Sequence, residues 1–450
     1  MILPKRIQEY VFRRNIMKET ISFSKSILIS TISFFSLSSF AADHNLIVKW
    51  TSNKDHLGCK RGEAVFEALN LYESSCDEEA YSKLKKSRAN SYILNSKVSF
   101  RKAPNDPRFN ELWNFLPGRN NADVSAQKAW DLSVGNRNGE EFVVAVIDGG
   151  VDVDHEDLKD NIWINKAEIP GNSIDDDGNG YIDDINGWNA FNDSGEIDED
   201  YHGTHVAGII GAKGNNSIGV TGINWDIKIM GISGSSGDTK TVLKAYNYVL
   251  KQKLLYLKSG GKLGANIVST NSSFGVDFAD CKSKDYRLWN DVYTELGKAG
   301  ILNAAATIND EINVDVEGDV PTGCDSDSII TVTNTNNDNE KYQYSGYGEK
   351  SIDLGAPGTD ILSTVPGDSY ANLTGTSMST PHIAGAIAFL HGLENEKFKK
   401  IRKDNPSQAV RLIKSALIES VDKNPTLNGK TLSGGRLNLF KSSKWILNLR

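Results

Sequence analysis

From residue 141 to residue 332 the chain alternates short, unbroken apolar runs with longer stretches of helical period. Glu141 to Ile147 contains Phe-Val-Val-Ala-Val-Ile, a β-branched run bounded by charge on one side and glycine on the other. A run without polar interruption is a strand buried on both faces, as in a parallel sheet. Asp148 stands at its C-terminal end. Further strands are expected at Ile227 to Ile232, Ala265 to Ser269, Ile301 to Ala306 and Ile329 to Val332. Helices are expected at Thr239 to Lys258 and Trp289 to Ala299, and a glycine-rich one beginning within Val206 to Ala212. Strands alternating with helices are parallel βαβ units, so the fold class is α/β: a doubly wound parallel sheet with helices on both faces and ligands beyond the carboxyl ends of its strands.

Before this pattern, residues 42–101 are rich in lysine and glutamate with short apolar runs. Asn45 to Trp50, Ala64 to Tyr72 and Val98 to Phe100 read as strand, helix and strand of a small α+β domain. The two prolines of Lys102-Ala-Pro-Asn-Asp-Pro107 then break regular structure and mark a domain entry. The expected domains are a leader at 1–41, the small domain at 42–101, the α/β domain at 102–442 and a tail at 443–450.

Length and composition fit this layout. A chain of 450 residues corresponds to two or three domains at ~100–200 residues each. Its 40 glycines follow no collagen-like period, so they belong to turns and close backbone approaches. The net charge is −8, and the first 41 residues carry six basic side chains against two acidic ones, so the body is more acidic than the total. An acidic body argues against a nucleic-acid partner. Residues 26–41 are moderately apolar after a basic stretch and close on small residues, with Ser39 and Ala41 fitting a signal-peptidase site and Met17 an alternative start. Export to the periplasm or beyond, without a stable membrane anchor, is the expectation. Four cysteines (Cys59, Cys76, Cys281, Cys324) suit an exported chain and lack the CxxC spacing of zinc or redox sites. Of three possible pairings, Cys59 with Cys76 and Cys281 with Cys324 keeps each bond on its own side of the domain boundary.

Three segments carry candidate chemistry: Val144-Ala-Val-Ile-Asp148-Gly-Gly, His202-Gly-Thr-His205-Val-Ala-Gly208 and Gly375-Thr-Ser377-Met-Ser-Thr-Pro-His382. Taken singly, Asp148 is a strand-end turn residue, the histidines a satisfied pair at a helix start, and Ser377 a helix cap. Taken together they are the parts of an acyl-transfer hydrolase. Such an enzyme needs a nucleophilic hydroxyl, an imidazole that takes and returns its proton, and a carboxylate that fixes the imidazole's tautomer.

In the order Asp, His, Ser, these segments resemble the signatures of the subtilisin-like (subtilase) serine proteases, and the likeness extends from Pro104-Asn-Asp-Pro107 to Gly434-Gly-Arg-Leu-Asn-Leu439. The resemblance implies that Asp148 orients the imidazole, that His202 is the general base and that Ser377 is the nucleophile. His155, His205 and His382 are then structural. Asn309 takes the place of the family's oxyanion-binding asparagine, with Asn303 and Asn313 as alternatives, although Ile308 stands where the family pattern has glycine. Ser273, Phe274 and Gly275 resemble one substrate-binding edge, faced by Ala305 to Thr307 across the primary pocket, with a second edge near Gly231 to Ser235. Small residues and Phe274 imply a preference for apolar or aromatic side chains, and nothing in these segments supplies an acidic cluster for a basic one.

Residues 175–200 hold ten Asp or Glu and no Lys or Arg. Within them Asp175, Asp177, Asn179 and Tyr181 follow the spacing of a calcium loop, with Gly180 at its turn and Asp183 or Asp184 as the closing carboxylate. The run is similar to a calcium insertion of subtilases, so a structural calcium and no organic cofactor are expected. The function expected is a secreted, monomeric serine endopeptidase acting on proteins or peptides. It would be made as a precursor whose small N-terminal domain serves as chaperone and inhibitor. The rival functions are an inactive binding protein on the same fold, a maturation protease with one substrate, and an esterase.

Overall fold

A computed structural model describes residues 44–50, 57–86, 92–94, 103–118, 120–136 and 139–450. The expected leader and the strand at Val98 to Phe100 lie outside the described residues. The chain divides into two compact units, Met1–Ser99 and Phe100–Arg450, a division two residues before the boundary expected from sequence.

In the first unit, strands β1 (His44–Lys49), β2 (Lys60–Phe66), β3 (Leu71–Cys76) and β4 (Tyr92–Leu94) form an antiparallel sheet in the order β2-β3-β1-β4. Helix α1 (Glu78–Lys86) starts with Glu78 and Glu79 and ends with three lysines, so its charges oppose the helix dipole. Leu46, Val48, Trp50, Ala80 and Leu84 pack around the Cys59–Cys76 disulfide. The helix expected over Ala64 to Tyr72 is instead the end of β2, a short 3-10 turn and the start of β3. Asn70 turns the chain in the left-handed region (φ 53°), and the disulfide and the cross-strand hydrogen bonds hold β2 against β3 despite the helical spacing of the apolar residues.

The second unit runs α2 (Ala126–Trp130), β5 (Val143–Asp148), β6 (Gly187–Asn189), α3 (Tyr201–Gly211), β7 (Lys228–Ser233), α4 (Thr239–Ser259), β8 (Ile267–Ser272), β9 (Val276–Asp277), α5 (Leu288–Lys298) and β10 (Leu302–Ala306). It continues with α6 (Val314–Glu317), β11 (Asp319–Val320), β12 (Ile329–Thr335), β13 (Leu354–Pro357), β14 (Ile361–Val365), β15 (Ser369–Leu373) and α7 (Thr376–His391). Helices α8 (Glu396–Asp404) and α9 (Pro406–Glu419), strands β16 (Asp422–Lys423) and β17 (Gly435–Arg436), and α10 (Leu439–Leu447) complete it. The main sheet has the order β16-β17-β13-β12-β10-β8-β5-β7-β6 and is parallel except at β16.

Strand β5 shows why the sheet is doubly covered. Val144 and Val146 join the core with α3, α7 and α9, whereas Val143, Ala145 and Ile147 join a second core with α4 and α5. Alternate side chains of one strand therefore bury against two helix layers, which is why the run has no polar position. Because β5 lies between β7 and β8, connections leave to both sides of it, and a crevice opens at the carboxyl ends of these strands. Helix α4 is closed by Asp238, whose carboxylate accepts from the Thr241 amide at 2.8 Å, and by Gly260 in the left-handed region (φ 65°). The tail expected at 443–450 is not one: α10 crosses residue 443, and its Ile446 is fully buried in the main core.

Candidate active site

Strand β5 delivers Asp148 to the crevice with its carboxyl group almost wholly buried, and α3 brings His202 onto it. That helix starts at Tyr201, five residues before the start expected from its apolar spacing, because the Asp200 carboxylate accepts from the Gly203 amide at 2.7 Å and caps it. The approach requires glycine at 203: a Cβ there would sit 1.9 Å from the Gly150 carbonyl oxygen and 2.9 Å from the Asp148 Cβ. With that space free, His202 Nδ1 lies 3.0 Å from each Asp148 oxygen, and Oδ1 also accepts from the Gly149 amide at 2.8 Å. A carboxylate only accepts, so Nδ1 carries the proton and Nε2 is left to act as a base. Burial works against a charged ring, but the hydrogen bond and negative charge of Asp148, with Asp200 behind it, outweigh burial and hold the His202 pKa above its ordinary value.

Ser377 occupies the first turn of α7. Of the sixteen residues of that helix, Ser377 alone is not buried. Pro381 lies inside the helix and has no N–H for the Ser377 carbonyl four residues back; the Ser273 hydroxyl donates to that carbonyl instead, at 3.0 Å. The Ser377 hydroxyl in turn lies 3.4 Å from the Ser273 carbonyl. Helices α3 and α7 pack against each other, and β5 and β8 are adjacent with Ile147 opposite Ser272, so the base and the hydroxyl both stand at the carboxyl edge of the same strand pair.

Asn309 lies beyond β10, beside this turn. Its Oδ1 accepts from the Thr376 amide at 2.8 Å and the Thr376 hydroxyl at 3.1 Å, which leaves Nδ2 as the donor end. Thr376, which the sequence pattern did not single out, thus fixes which end of the amide is offered. Ile308 does not disturb this arrangement. Its side chain packs with Val314 and Ile352, and its amide donates to Asp319 at 3.1 Å. Asn303 is fully buried within β10, bonded to Thr270 and the Ser328 carbonyl, and Asn313 caps α6. Neither alternative lines the cavity beside Ser377.

That cavity, of about 350 Å³, is lined by Ser377, Asn309 and five of the six expected pocket residues, Ser273, Phe274, Gly275, Ala306 and Thr307, whereas Ala305 is fully buried within β10. It is not the apolar slot expected from them. Asp277, Asp310 and Asp319 line it too, and Asp319 is brought there by the pairing of β11 with β9, which no local sequence signal marks. The second edge also needs correction. Gly231 to Ser233 are interior positions of β7, between β5 and β6, whereas Ser235 to Gly237, just past the strand, line a neighbouring cavity with Phe274 and Gly275.

The three histidines expected to be structural each bond to backbone, and His382 Nε2 also meets the Asn114 side-chain amide at 2.9 Å. His205 Nε2 donates to the Ile361 and Ala371 carbonyls, His382 Nδ1 to the Met378 carbonyl, and burial pushes both pKa values down to about 4. His155 bridges the Ser369 carbonyl and the Asp157 amide.

In the acidic loop, carboxylate oxygens of Asp175 and Asp177 come within 4.8 Å of one another and of Glu168, which precedes the motif and was not expected. Asn179 lies beside them, its amide donating to Asp175 and Asp177, and the Tyr181 amide donates to the Asn179 side chain. The expected closing carboxylates are engaged elsewhere. Asp183 accepts from the Asn172 and Ser173 amides, and fully buried Asp184 accepts from Tyr248, Gln252, Asn165 and Asn179, with burial raising its pKa to about 7. Glu168 is engaged as well, accepting from the Asp176, Asp177 and Asp183 amides, and the three convergent carboxylates are an all-oxygen set of the kind a hard cation such as calcium takes.

A doubly wound sheet presenting a carboxylate–imidazole pair and an accessible serine at a helix start defines the class of a serine hydrolase. Residues 139–434 match the sequence model of the Subtilase family, and the chain belongs to that family of subtilisin-like serine proteases. It is similar to subtilisin-like protease 1 of Plasmodium falciparum (isolate 3D7), with 32% identity over 57% of this chain and 38% of that protein. It is also similar to the major intracellular serine protease of Bacillus subtilis (strain 168), with 30% identity over 68% of this chain and 84% of the other. The chain thus spans well under half of the Plasmodium relative. Among solved structures, a protease of Pseudoalteromonas arctica PAMC 21717 superposes with a TM-score of 0.54 at 23% identity, covering 77% of this chain and 100% of that one, which supports the fold. Among the described residues no helix is long and apolar enough to cross a membrane.

Proposed function

We propose that the chain is an endopeptidase that hydrolyses peptide bonds through Asp148, His202 and Ser377. The observation that carries this reading is the Asp148–His202 pair with its proton fixed on Nδ1, at the same sheet edge as the one accessible side chain of α7. His202 Nε2 takes the Ser377 hydroxyl proton as the oxygen attacks the peptide carbonyl carbon. The resulting oxyanion accepts from the Ser377 amide and Asn309 Nδ2, donors already in place before charge develops. His202 then returns the proton to the departing amine, leaving an acyl-enzyme. Water, losing a proton to the same nitrogen, releases the acid and restores the serine.

Three finer readings go with this one. Residues 42–101 form the inhibitory part of a self-processing precursor, a role supported by their separate fold and position. The chain is exported by its N-terminal segment and acts as a monomer on proteins or peptides. Calcium is held by Glu168, Asp175, Asp177 and Asn179, where it neutralises the loop and takes no part in the chemistry. The test is labelling of the purified protein with a fluorophosphonate. Label on Ser377, with peptide hydrolysis and N-terminal trimming that both vanish in Ser377→Ala, is expected. Hydrolysis retained in that variant would overturn the assignment.

A further inference from the structure

We propose that the cavity beside Ser377 receives a lysine or arginine side chain of the substrate, and that Asp319 is the residue that selects it. The proposal rests on the reading of Ser377 as nucleophile, because the side chain preceding the scissile bond then enters the cavity that Ser377 and Asn309 border.

Asp319 is 1% exposed, yet its residue forms part of the cavity wall. Three donors converge on a single oxygen: the Thr307 hydroxyl at 2.9 Å, the Ile308 amide at 3.1 Å and the Thr322 hydroxyl all reach Oδ2. Oδ1 accepts from none of the described residues. It lies beside Gly275, where a Cβ would come within 2.8 Å of the Val320 carbonyl oxygen and 3.3 Å of Oδ1, so only glycine lets the cavity wall close this tightly on the carboxylate. The Oδ2 contacts fix the carboxylate's orientation within the cavity wall and leave Oδ1 without a donor among the described residues.

The surrounding charges have one sign. Asp277, paired with Asp319 in the β9–β11 register, and Asp310 are the other ionisable groups lining the cavity, and no lysine or arginine is among them. An ionised carboxylate enclosed without a cation is costly, and burial accordingly raises the Asp319 pKa in spite of its three donors. A cationic side chain would supply the missing partner for Oδ1. An apolar one would cover Oδ1 and leave it unpaired, so the site discriminates by penalty as well as by attraction. The Cys281–Cys324 disulfide ties the segment after β9 to the segment after β11, and so fixes the two strands that carry Asp277 and Asp319.

The test uses the purified protein, its active sites counted with a fluorophosphonate, and peptide amides differing only in the residue before the scissile bond: Arg, Lys, Gln, Leu or Phe. Arg and Lys should give the highest kcat/KM. Asp319→Asn keeps an acceptor for the three donors, and it should lower the Arg-to-Leu ratio roughly 10- to 100-fold, the range for losing a charged hydrogen-bond partner, with the ratio taken per labelled active site. Asp277→Asn, at an exposed position, should change the ratio much less. If the parent prefers Leu or Phe, or the ratio survives Asp319→Asn with labelling intact, the proposal is wrong. Should Asp319→Asn not label at all, competition on the parent between peptide aldehydes ending in arginine and in phenylalanine reads the same preference, and stronger inhibition by the phenylalanine aldehyde overturns it. Failure of the underlying reading has a separate signature: no label on Ser377 in the parent, which removes this proposal as well.

Discussion

Replacing Asp148 with asparagine tests the acid–base reading most directly, because the change is isosteric and its consequence follows from one neighbouring hydrogen bond. The Gly149 amide donates to Oδ1 of Asp148 at 2.8 Å, and both carboxylate oxygens lie 3.0 Å from His202 Nδ1. In Asp148→Asn the Gly149 amide demands an oxygen at the Oδ1 position, so the new NH2 takes the other position and faces Nδ1. Nδ1 must then accept, the ring proton moves to Nε2, and the nitrogen facing the serine can no longer take a proton. A wrong tautomer of this kind costs about 10⁴ in kcat, which is about 5.4 kcal/mol of transition-state stabilisation. A second readout moves independently. In the parent, Asp148 and Asp200 hold the His202 pKa above its usual value against the effect of burial. Activity needs the neutral ring, so kcat/KM falls as pH drops through that raised value. Without the carboxylate, burial dominates and the acid limb shifts to lower pH. The assay is kcat/KM for a peptide amide across the pH range, on protein whose circular dichroism and melting match the parent. Turnover within tenfold of the parent, or an acid limb that does not move, would refute the orienting role of Asp148.

Asn309→Ala should lower kcat by roughly 10²–10³ with KM little changed, since Nδ2 is needed only once the oxyanion forms; the magnitude is borrowed from subtilisin, a member of the same family. An unchanged kcat means that another donor serves. Chelation should lower the melting temperature, because binding confined to the folded state adds about 2.7 kcal/mol when calcium is at 100 times its dissociation constant. The shift should shrink in the Asp175→Ala, Asp177→Ala double variant and in Glu168→Gln, and an equal shift in all three proteins would place the cation elsewhere. Replacing Cys281 and Cys324 together by serine opens a loop of sequence separation 43, a loss of about 4 kcal/mol by loop-closure entropy. Denaturant unfolding of the second unit should register that loss, and an unchanged midpoint would show that the β9 and β11 segments are held without the bond.

Much of this protein was legible in one dimension. The unbroken apolar run before Asp148 implied a strand covered on both faces, because alternate side chains that both meet helices leave no position for a polar residue. The three glycine-flanked segments identified their chemistry because glycines are needed where the His202 helix approaches the end of β5. Residues outside those segments were hidden for a different reason. Glu168 precedes the calcium-type spacing, and Thr376 matters only because Asn309, far away in sequence, places its oxygen over that amide. The helical spacing of residues 64–72 was overruled by the strand partners and disulfide that residues elsewhere supplied. Asp319 has no motif around it. It enters the wall of the cavity beside Ser377 because β11 pairs with β9, and its carboxylate is held there because three donors from Thr307, Ile308 and Thr322 converge on one of its oxygens. Residue type and local spacing therefore determined the strands and the candidate Asp148, His202 and Ser377, whereas long-range strand pairing decided which carboxylate lies beside them.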